Sequence, residues 1–399
     1  MPEMTAPLEG IKVIDIATLF AGPMIGTMLG DFGADVLKIE HPRGDPLRTH
    51  GYLKDGVGLW WKVAARNKRC ITLSLSQPAG AEIFKHLVAH YDVVVENFRP
   101  GTLERWGLGW DILHKINPRL ILVRVTGFGQ QGPYSNLPGF GTLVEAMTGF
   151  AHIMGEPDGP PTLPPFGLAD GICAMVGTWA TAFALYHRDA RGGEGQMIDL
   201  ALYEPLLTIL GAQPTFYDQL GIIQNRMGNR TPNNAPRNLY RTRDDRWAAV
   251  STSGDNIAKR VMNLVGHPEI IEEPWFSSAR GRAEHADILD EFVGGWIEQR
   301  DLDEVMKAFK EVGAAVAPIY NVSHVMSDPH FKYRESITEL PDPDFGTIKM
   351  QNILARMSGT PGQIRWTGRS LGADSEEVFR KELGLTPEEI TSLRCEGVI

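Results

Sequence analysis

The amino-acid sequence predicts an α/β protein built on a doubly wound, mostly parallel sheet, and three observations carry that reading. Apolar, β-branched runs alternate with helical stretches between residues 11 and 130. The runs are continuous rather than alternating, as expected of strands buried on both faces. Each of several strands ends on a glycine or proline turn, where helices or loops begin.

Taken in order, Ile11–Ile16 reads as the first strand, and the chain breaks at Ala21-Gly22-Pro23. Met24, Ile25, Met28 and Leu29 then have helical spacing, and Pro23 suits a first helical turn because its missing N–H is not needed there. Ala34–Glu40 is a second strand, which completes a βαβ unit. Arg69–Leu75 is a strand, Gln77–Tyr91 a helix, and Asp92–Phe98 a strand that runs into Arg99-Pro100-Gly101. Leu120–Val125 closes on Gly127-Phe128-Gly129. Ligands of such sheets bind beyond the carboxyl ends of the strands. The loops 19–23, 97–101 and 126–129 are therefore expected at one edge. Asp170–Tyr186 is apolar with small residues (Ala174, Gly177, Ala180, Ala182, Ala184) and reads as a close-packed helix. Residues 187–197 read as a loop, and a helix is expected from Leu200 to about Leu220. Trp247–Ser251 starts a new strand, and 258–313 is helical with many acids. This divides the chain into a large domain over 1–190, a linking helix over 191–224, a smaller α+β domain over 225–330, and a sheet-like final segment over 331–399. Thr386-Pro387-Glu388-Glu389 near the end is a capping box.

Composition narrows the function. With 39 Lys+Arg against 49 Asp+Glu the formal net charge is −10, and no basic block argues for nucleic acid. Three scattered cysteines without C-x-x-C signal neither zinc nor a disulfide framework. The first 20 residues lack the basic start and cleavage site of a leader, and no apolar run is expected to span a membrane. A reduced, cytoplasmic protein is the expectation.

Asp170 is the foremost candidate for chemistry. Its ordinary reading is an N-cap. That is compatible with catalysis, since a carboxylate held ionised at a helix start can act as a nucleophile. Gly127, Gly129 and Gly132 have part of a dinucleotide fingerprint, but after the wrong strand, and no Walker sequence exists. Lys38, Arg43, Arg48, Lys68, Arg69, Arg99 and Arg105 cluster near the loop positions and suit a phosphate-bearing ligand, against the commoner fate of a solvated surface. The eleven histidines form no H-E-x-x-H, so no metal site is expected, and no G-x-S-x-G marks a hydrolase. Cys173, one turn after Asp170, reads as a buried small hydrophobe.

Four segments together resemble the class III CoA-transferase family, which includes formyl-CoA transferase, carnitine CoA-transferase and the α-methylacyl-CoA racemases. They are Ala21-Gly22-Pro23 with Gly33–Glu40; Asn67-Lys68-Arg69; Glu96-Asn97-Phe98-Arg99-Pro100-Gly101; and Gly127-Phe128-Gly129 through Gly132-Pro133-Tyr134. Leu168-Ala169-Asp170 and Leu383-Gly384-Leu385 fit as well. The resemblance implies a Rossmann-like large domain built from N- and C-terminal segments, a small inserted domain, and two subunits interlocked as rings. It implies no permanently bound cofactor, with a CoA thioester as substrate and a carboxylic acid, dicarboxylates among them, as acceptor.

It also implies covalent catalysis by Asp170, through a mixed anhydride and an aspartyl-CoA thioester. Phe20, Ala21, Asn97, Phe98 and Arg105 are then expected to contact CoA, with Lys68 as a weaker phosphate contact. Gly22, Gly127, Phe128, Gly129 and Phe140 are expected at the acyl pocket or oxyanion hole. Arg43, Arg48 and Arg237 are offered for a distal carboxylate. The racemase branch needs a His base where this chain has Phe140, which favours the transferase. A CoA-binding protein without chemistry is the third reading. Phe20 replaces the Gln of formyl-CoA transferase, and no Gly-rich flap is found at 228–242, which argues against formate and oxalate and for a larger acid.

Overall fold

The computed structural model describes residues 6–353 and 355–399; residues 1–5 of the stretch read for a leader lie outside them. The main sheet has six strands: β1 (Lys12–Asp15), β2 (Asp35–Glu40), β3 (Lys68–Thr72), β4 (Val93–Glu96), β5 (Ile121–Thr126) and β6 (Met197–Ala201). Their order is β3-β2-β1-β4-β5-β6 and every pairing is parallel. The order reverses direction at β1 and β4, which is where ligand crevices open in sheets of this kind. Helices α1 (Ala21–Asp31), α2 (Pro78–Val88), α3 (Thr102–Arg105), α4 (Gly141–Met147) and α5 (Leu168–Ala190) connect and cover the strands.

Two compact units emerge from the contacts. One comprises residues 1–150, 163–212 and 333–399, and the other 151–162 and 213–332. The second unit holds an antiparallel sheet of β7 (Arg237–Arg241), β8 (Trp247–Ser251) and β9 (Val316–Pro318), with β8 in the centre. Its core is built by Tyr240, Val250, Val261, Leu289, Val293 and Phe309. In the first unit, β10 (Ile337–Asp342) and β11 (Gly346–Gln351) form a hairpin, and α6 (Ser375–Lys381) and α7 (Pro387–Cys395) end the chain. The predicted capping box starts α7, with Thr386 accepting from Glu389 N and Glu389 from Thr386 N.

Strand periodicity sorts the main core into two layers. Val13, Val93, Val95, Ile121 and Val123 face α1 and α5. Ile14, Leu37, Ile71, Val94 and Leu122 face α2 and the terminal helices, whose Val378, Phe379 and Ile390 are fully buried. Each such side chain contributes about 1.5–3 kcal/mol.

One expectation is corrected. Residues 197–201 form the edge strand β6, not loop and helix, and two short helices follow at Tyr203–Ile209 and Gln213–Leu220. Pairing with β5 on one side decides the conformation of a segment whose Leu200-Ala201-Leu202 reads equally as helix. By length and composition α5 could cross a membrane, a property it shares with the core helices of globular proteins. Here its Ala169, Cys173, Ala174, Gly177 and Ala184 are buried, and the helix packs on α1, β5 and β6. The opposite face leaves Met175, Trp179, Phe183 and Tyr186 exposed.

Candidate active site

The three loops assigned to one sheet edge meet there in a single cavity of about 650 Å³. Thr18–Ala21 after β1, Asn97–Pro100 after β4 and Val125–Gly127 at the end of β5 line it, together with Leu137–Thr142, Glu145, Pro164–Gly167 and Asp170. An aromatic wall runs along one side, with Phe20 5.0 Å from Trp60 and Trp60 5.6 Å from His50 between ring centres.

Asp170 does not cap α5. Gly167 holds the N-cap position, and Asp170 is the third residue of the helix, in its first turn. The carboxylate lies against the start of α4: a Cβ added to Gly141 would stand 2.3 Å from its Oδ2, and one on Gly167 3.3 Å. Only glycine leaves room at 141. Glu145, one turn into α4 and 2% exposed, accepts the backbone N–H of Ala169 at 3.1 Å, so a second carboxylate sits beside the first. The helix-start argument for an acidic Asp170 is therefore outweighed. Burial, and after it the charge of Glu145, push the Asp170 carboxyl above its ordinary value, while its own backbone N–H opposes them. Burial pushes the Cys173 thiol up as well, which leaves it inert.

The opposite wall is made by a turn whose backbone is held at five points. Ala17 N donates to Asp15 Oδ1 at 3.0 Å, and Ala17 O accepts from Lys38 Nζ. Thr18 N donates to Asn97 Oδ1 at 2.8 Å and Thr18 O accepts from Asn97 Nδ2 at 2.7 Å. Leu19 N donates to Asp45 Oδ1 at 3.2 Å, with Leu19 at φ +63°, a left-handed conformation unusual for leucine.

Of the residues expected at the site, Phe20, Ala21, Asn97, Phe98, Gly127, Phe140 and Asp170 line this cavity. Lys68 does not, and its reading as a phosphate contact is corrected: it is fully buried, with Nζ 2.8 Å from Asp15 Oδ2 and 2.6 Å from Pro23 O. Gly22 also lies off the cavity, where a Cβ would strike that of Ala17 at 2.5 Å; it lets α1 approach β1. Phe128 packs on the core and on Tyr134, and Gly129 turns beside Asp199, whose carboxylate accepts Gln130 N. Arg105 is exposed on α3 and bonds Thr102 Oγ1 at 3.0 Å. Arg48 is paired with Glu40 at 2.7 Å, and Arg237, in the second unit, donates to the Asn229 carbonyl.

A second cavity of about 390 Å³ adjoins the first, and Thr18 and Phe98 line both. Its wall also includes Lys38, His41, Arg43, Asp45, Ser76 and Trp106. Between Gly127 and Gly139 the chain closes on itself: a Cβ on either residue would lie 2.5 Å from the Cα of the other. Residues 128–138 thus form a loop tied at its neck, and Ser135, Leu137 and Pro138 reach the larger cavity from it.

Sequence reasoning missed Glu145 and Asp45 as parts of this site, and it read Lys38 as a phosphate-suited cation where the fold buries it against Asp15, Asp45 and the Ala17 carbonyl. Glu145 leaves a faint trace, an acid next to Val144 in an otherwise apolar turn. Asp45 leaves none, because nothing near it in sequence tells that it will accept from Leu19 N.

The comparisons with known proteins agree with one another. The model of CoA-transferase family III matches residues 8–375. The chain is 42% identical over 395 residues to the succinyl-CoA–D-citramalate CoA-transferase of Chloroflexus aurantiacus, covering 98% of each chain. It is 41% identical over 400 residues to the succinyl-CoA–L-malate CoA-transferase beta subunit of the same organism, covering 99% of this chain and 98% of that one. The crystal structure of a CaiB/BaiF family protein from Brucella suis superposes with a TM-score of 0.83 at 31% identity, over 95% of this chain and all of that one.

Proposed function

The chain belongs to the class III CoA-transferase family, and from that premise we propose that it moves CoA from an acyl-CoA to a carboxylic acid through covalent intermediates on Asp170. The observation that carries this reading is the carboxylate itself. It opens into the cavity at the sheet's switch point, and the glycines at 141 and 167 leave room beside it.

A carboxylate oxygen of Asp170 attacks the thioester carbonyl; the C–S bond breaks, giving a mixed anhydride and CoA thiolate. The thiolate attacks the Asp170 acyl carbon, releasing the donor acid and leaving an aspartyl-CoA thioester. The acceptor carboxylate repeats the sequence in reverse, taking CoA and restoring Asp170. Splitting the exchange in this way divides one hard transfer between two weak nucleophiles into reversible, nearly isoenergetic steps. Ala21 and Gly127 are the positions of the expected oxyanion loops that reach the cavity, and their N–H groups are the donors we assign. The larger cavity takes the acyl and pantetheine end; the adjoining one, with Arg43 and His41 in its wall, takes the phosphate-bearing end. Phe20 and Asn97 shape the passage, and Phe140 offers no proton acceptor for α-carbon isomerisation.

By analogy with the relatives named for succinyl-CoA, D-citramalate and L-malate, the substrates are short dicarboxylic acids. Arg99 and His50 are the basic groups in the wall of the larger cavity and suit the distal carboxylate. The exposed Met175, Trp179, Phe183 and Tyr186 stripe on α5 supports a second copy in an interlocked homodimer, and free Cys70, Cys173 and Cys395 suit the reducing cytoplasm. The test is mass spectrometry after incubation with succinyl-CoA and other acyl-CoAs, with hydroxylamine as trap. A CoA or acyl adduct on the Asp170 peptide, absent in Asp170→Ala, is expected. Transfer that persists in Asp170→Ala, or deuterium entering the α-carbon in heavy water without any adduct, overturns the mechanism.

A further inference from the structure

The geometry points to Asp45 and Lys38 as positioning residues that lock the Ala17–Leu19 turn, and with it Phe20 and Ala21, against the nucleophile; their part in transfer rests on the function proposed above. Ladder bonding of β1 ends with Ile16 N on Val95 O. Beyond that point the backbone has no ladder to follow. Five backbone groups of the next three residues are instead held by Asp15, Lys38, Asn97 and Asp45.

Asp45 ties the arrangement together. Its Oδ1 accepts from Leu19 N at 3.2 Å and Leu47 N at 2.8 Å, its Oδ2 lies 3.1 Å from Lys38 Nζ, and its own N–H donates to Glu40 Oε2 at 3.0 Å. Lys38 in turn lies 3.6 Å from Asp15 Oδ1, and Lys68 holds Asp15 from the far side while bonding Pro23 O in the first turn of α1. Asp15, Lys38, Asp45 and Lys68 are each 5% exposed or less. Buried charges are poor stabilisers, because desolvation offsets most of their attraction. What they supply is direction. Here they keep a leucine at φ +63°, a conformation it does not choose unaided. Thr18, inside the clamped turn, belongs to the walls of both cavities, so the clamp fixes the partition between them.

The variant that tests this is Asp45→Asn in the full chain, which keeps shape and one acceptor but cannot pair with Lys38. Amide hydrogen exchange across residues 17–20 is expected to speed up by about tenfold or more, with β4 amides unchanged. In CoA transfer, kcat is expected to fall about tenfold while KM for the acyl-CoA stays within about threefold. Adding Leu19→Gly restores part of that kcat, since glycine takes the left-handed turn without being held. Unchanged exchange at 17–20 overturns the clamp whatever the activity. Faster exchange with an undiminished kcat overturns the positioning role, and so does a loss in which exchange rises throughout the sheet and kcat and KM move together. If Asp45→Asn does not fold, Asp45→Ser, which can still cap Leu47 but not reach Lys38, is read in the same two ways. A wild-type protein that transfers CoA from no donor sinks the proposed function instead, and exchange alone then decides the clamp.

Discussion

The two walls of the cavity are made accurate by opposite means. The wall after β1 is held by added bonds, with side chains gripping the backbone of Ala17, Thr18 and Leu19. The wall around Asp170 is held by missing atoms: Gly141 and Gly167 leave space that any side chain would fill. A bonded wall loosens by degrees as partners are removed, whereas a wall made by exclusion either accepts the substrate or does not. Stability and activity should therefore separate between the two.

The largest effect is expected on the bonded side. Lys68→Met removes an ammonium held by Asp15 and Pro23 O in the interior and leaves the carboxylate short of a partner. Unfolding in urea is expected to show a loss of about 3–5 kcal/mol, the usual cost of breaking a buried pair. A change under 1 kcal/mol would mean that Lys38 alone satisfies Asp15. On the excluded side, Gly141→Ala should leave the denaturation midpoint nearly unchanged. Because the new methyl displaces the Asp170 carboxylate, transfer should fall by about 10²-fold. Equal losses of stability and rate would erase the contrast between the walls.

The smallest effect concerns protons. In the proposed mechanism attack requires ionised Asp170, so its raised pKa is expected to place the acid limb of kcat/KM above that of an ordinary carboxylate. Glu145→Gln keeps an oxygen for Ala169 N but removes the neighbouring negative charge. The Asp170 pKa then falls and the acid limb moves to lower pH, with the plateau rate changing less than about tenfold. A limb that stays in place would assign the whole shift to burial.

The contrast also explains what could be read in the sequence. The strand–helix alternation and the turns at the carboxyl edge are local, so the sheet and its loops were legible from residue type and spacing, whereas Asp170 read as an N-cap and proves to be the third residue of its helix. Strand β6 was not, because an edge strand gains its identity from one neighbour. The glycines at 141 and 167 give no sign of their role in the sequence, since nothing local says which atom needs the space. Lys68 reads as a phosphate contact for the same reason: only the fold shows that its charge points inward to Asp15. A charged residue inside an apolar parallel strand, as in Asp15 and Lys38, was the available hint of a buried cluster.

The neck at Gly127 and Gly139 has an evolutionary corollary. Because the two backbones touch there, the stretch between them begins and ends at one fixed point. Closing a loop costs only about 0.6 kcal/mol more for each doubling of its length. Residues 128–138 can therefore be lengthened, shortened or exchanged wholesale while Asp170 and the sheet stay put, making this loop an interchangeable cassette for grafting new acid preferences onto an unchanged reaction centre.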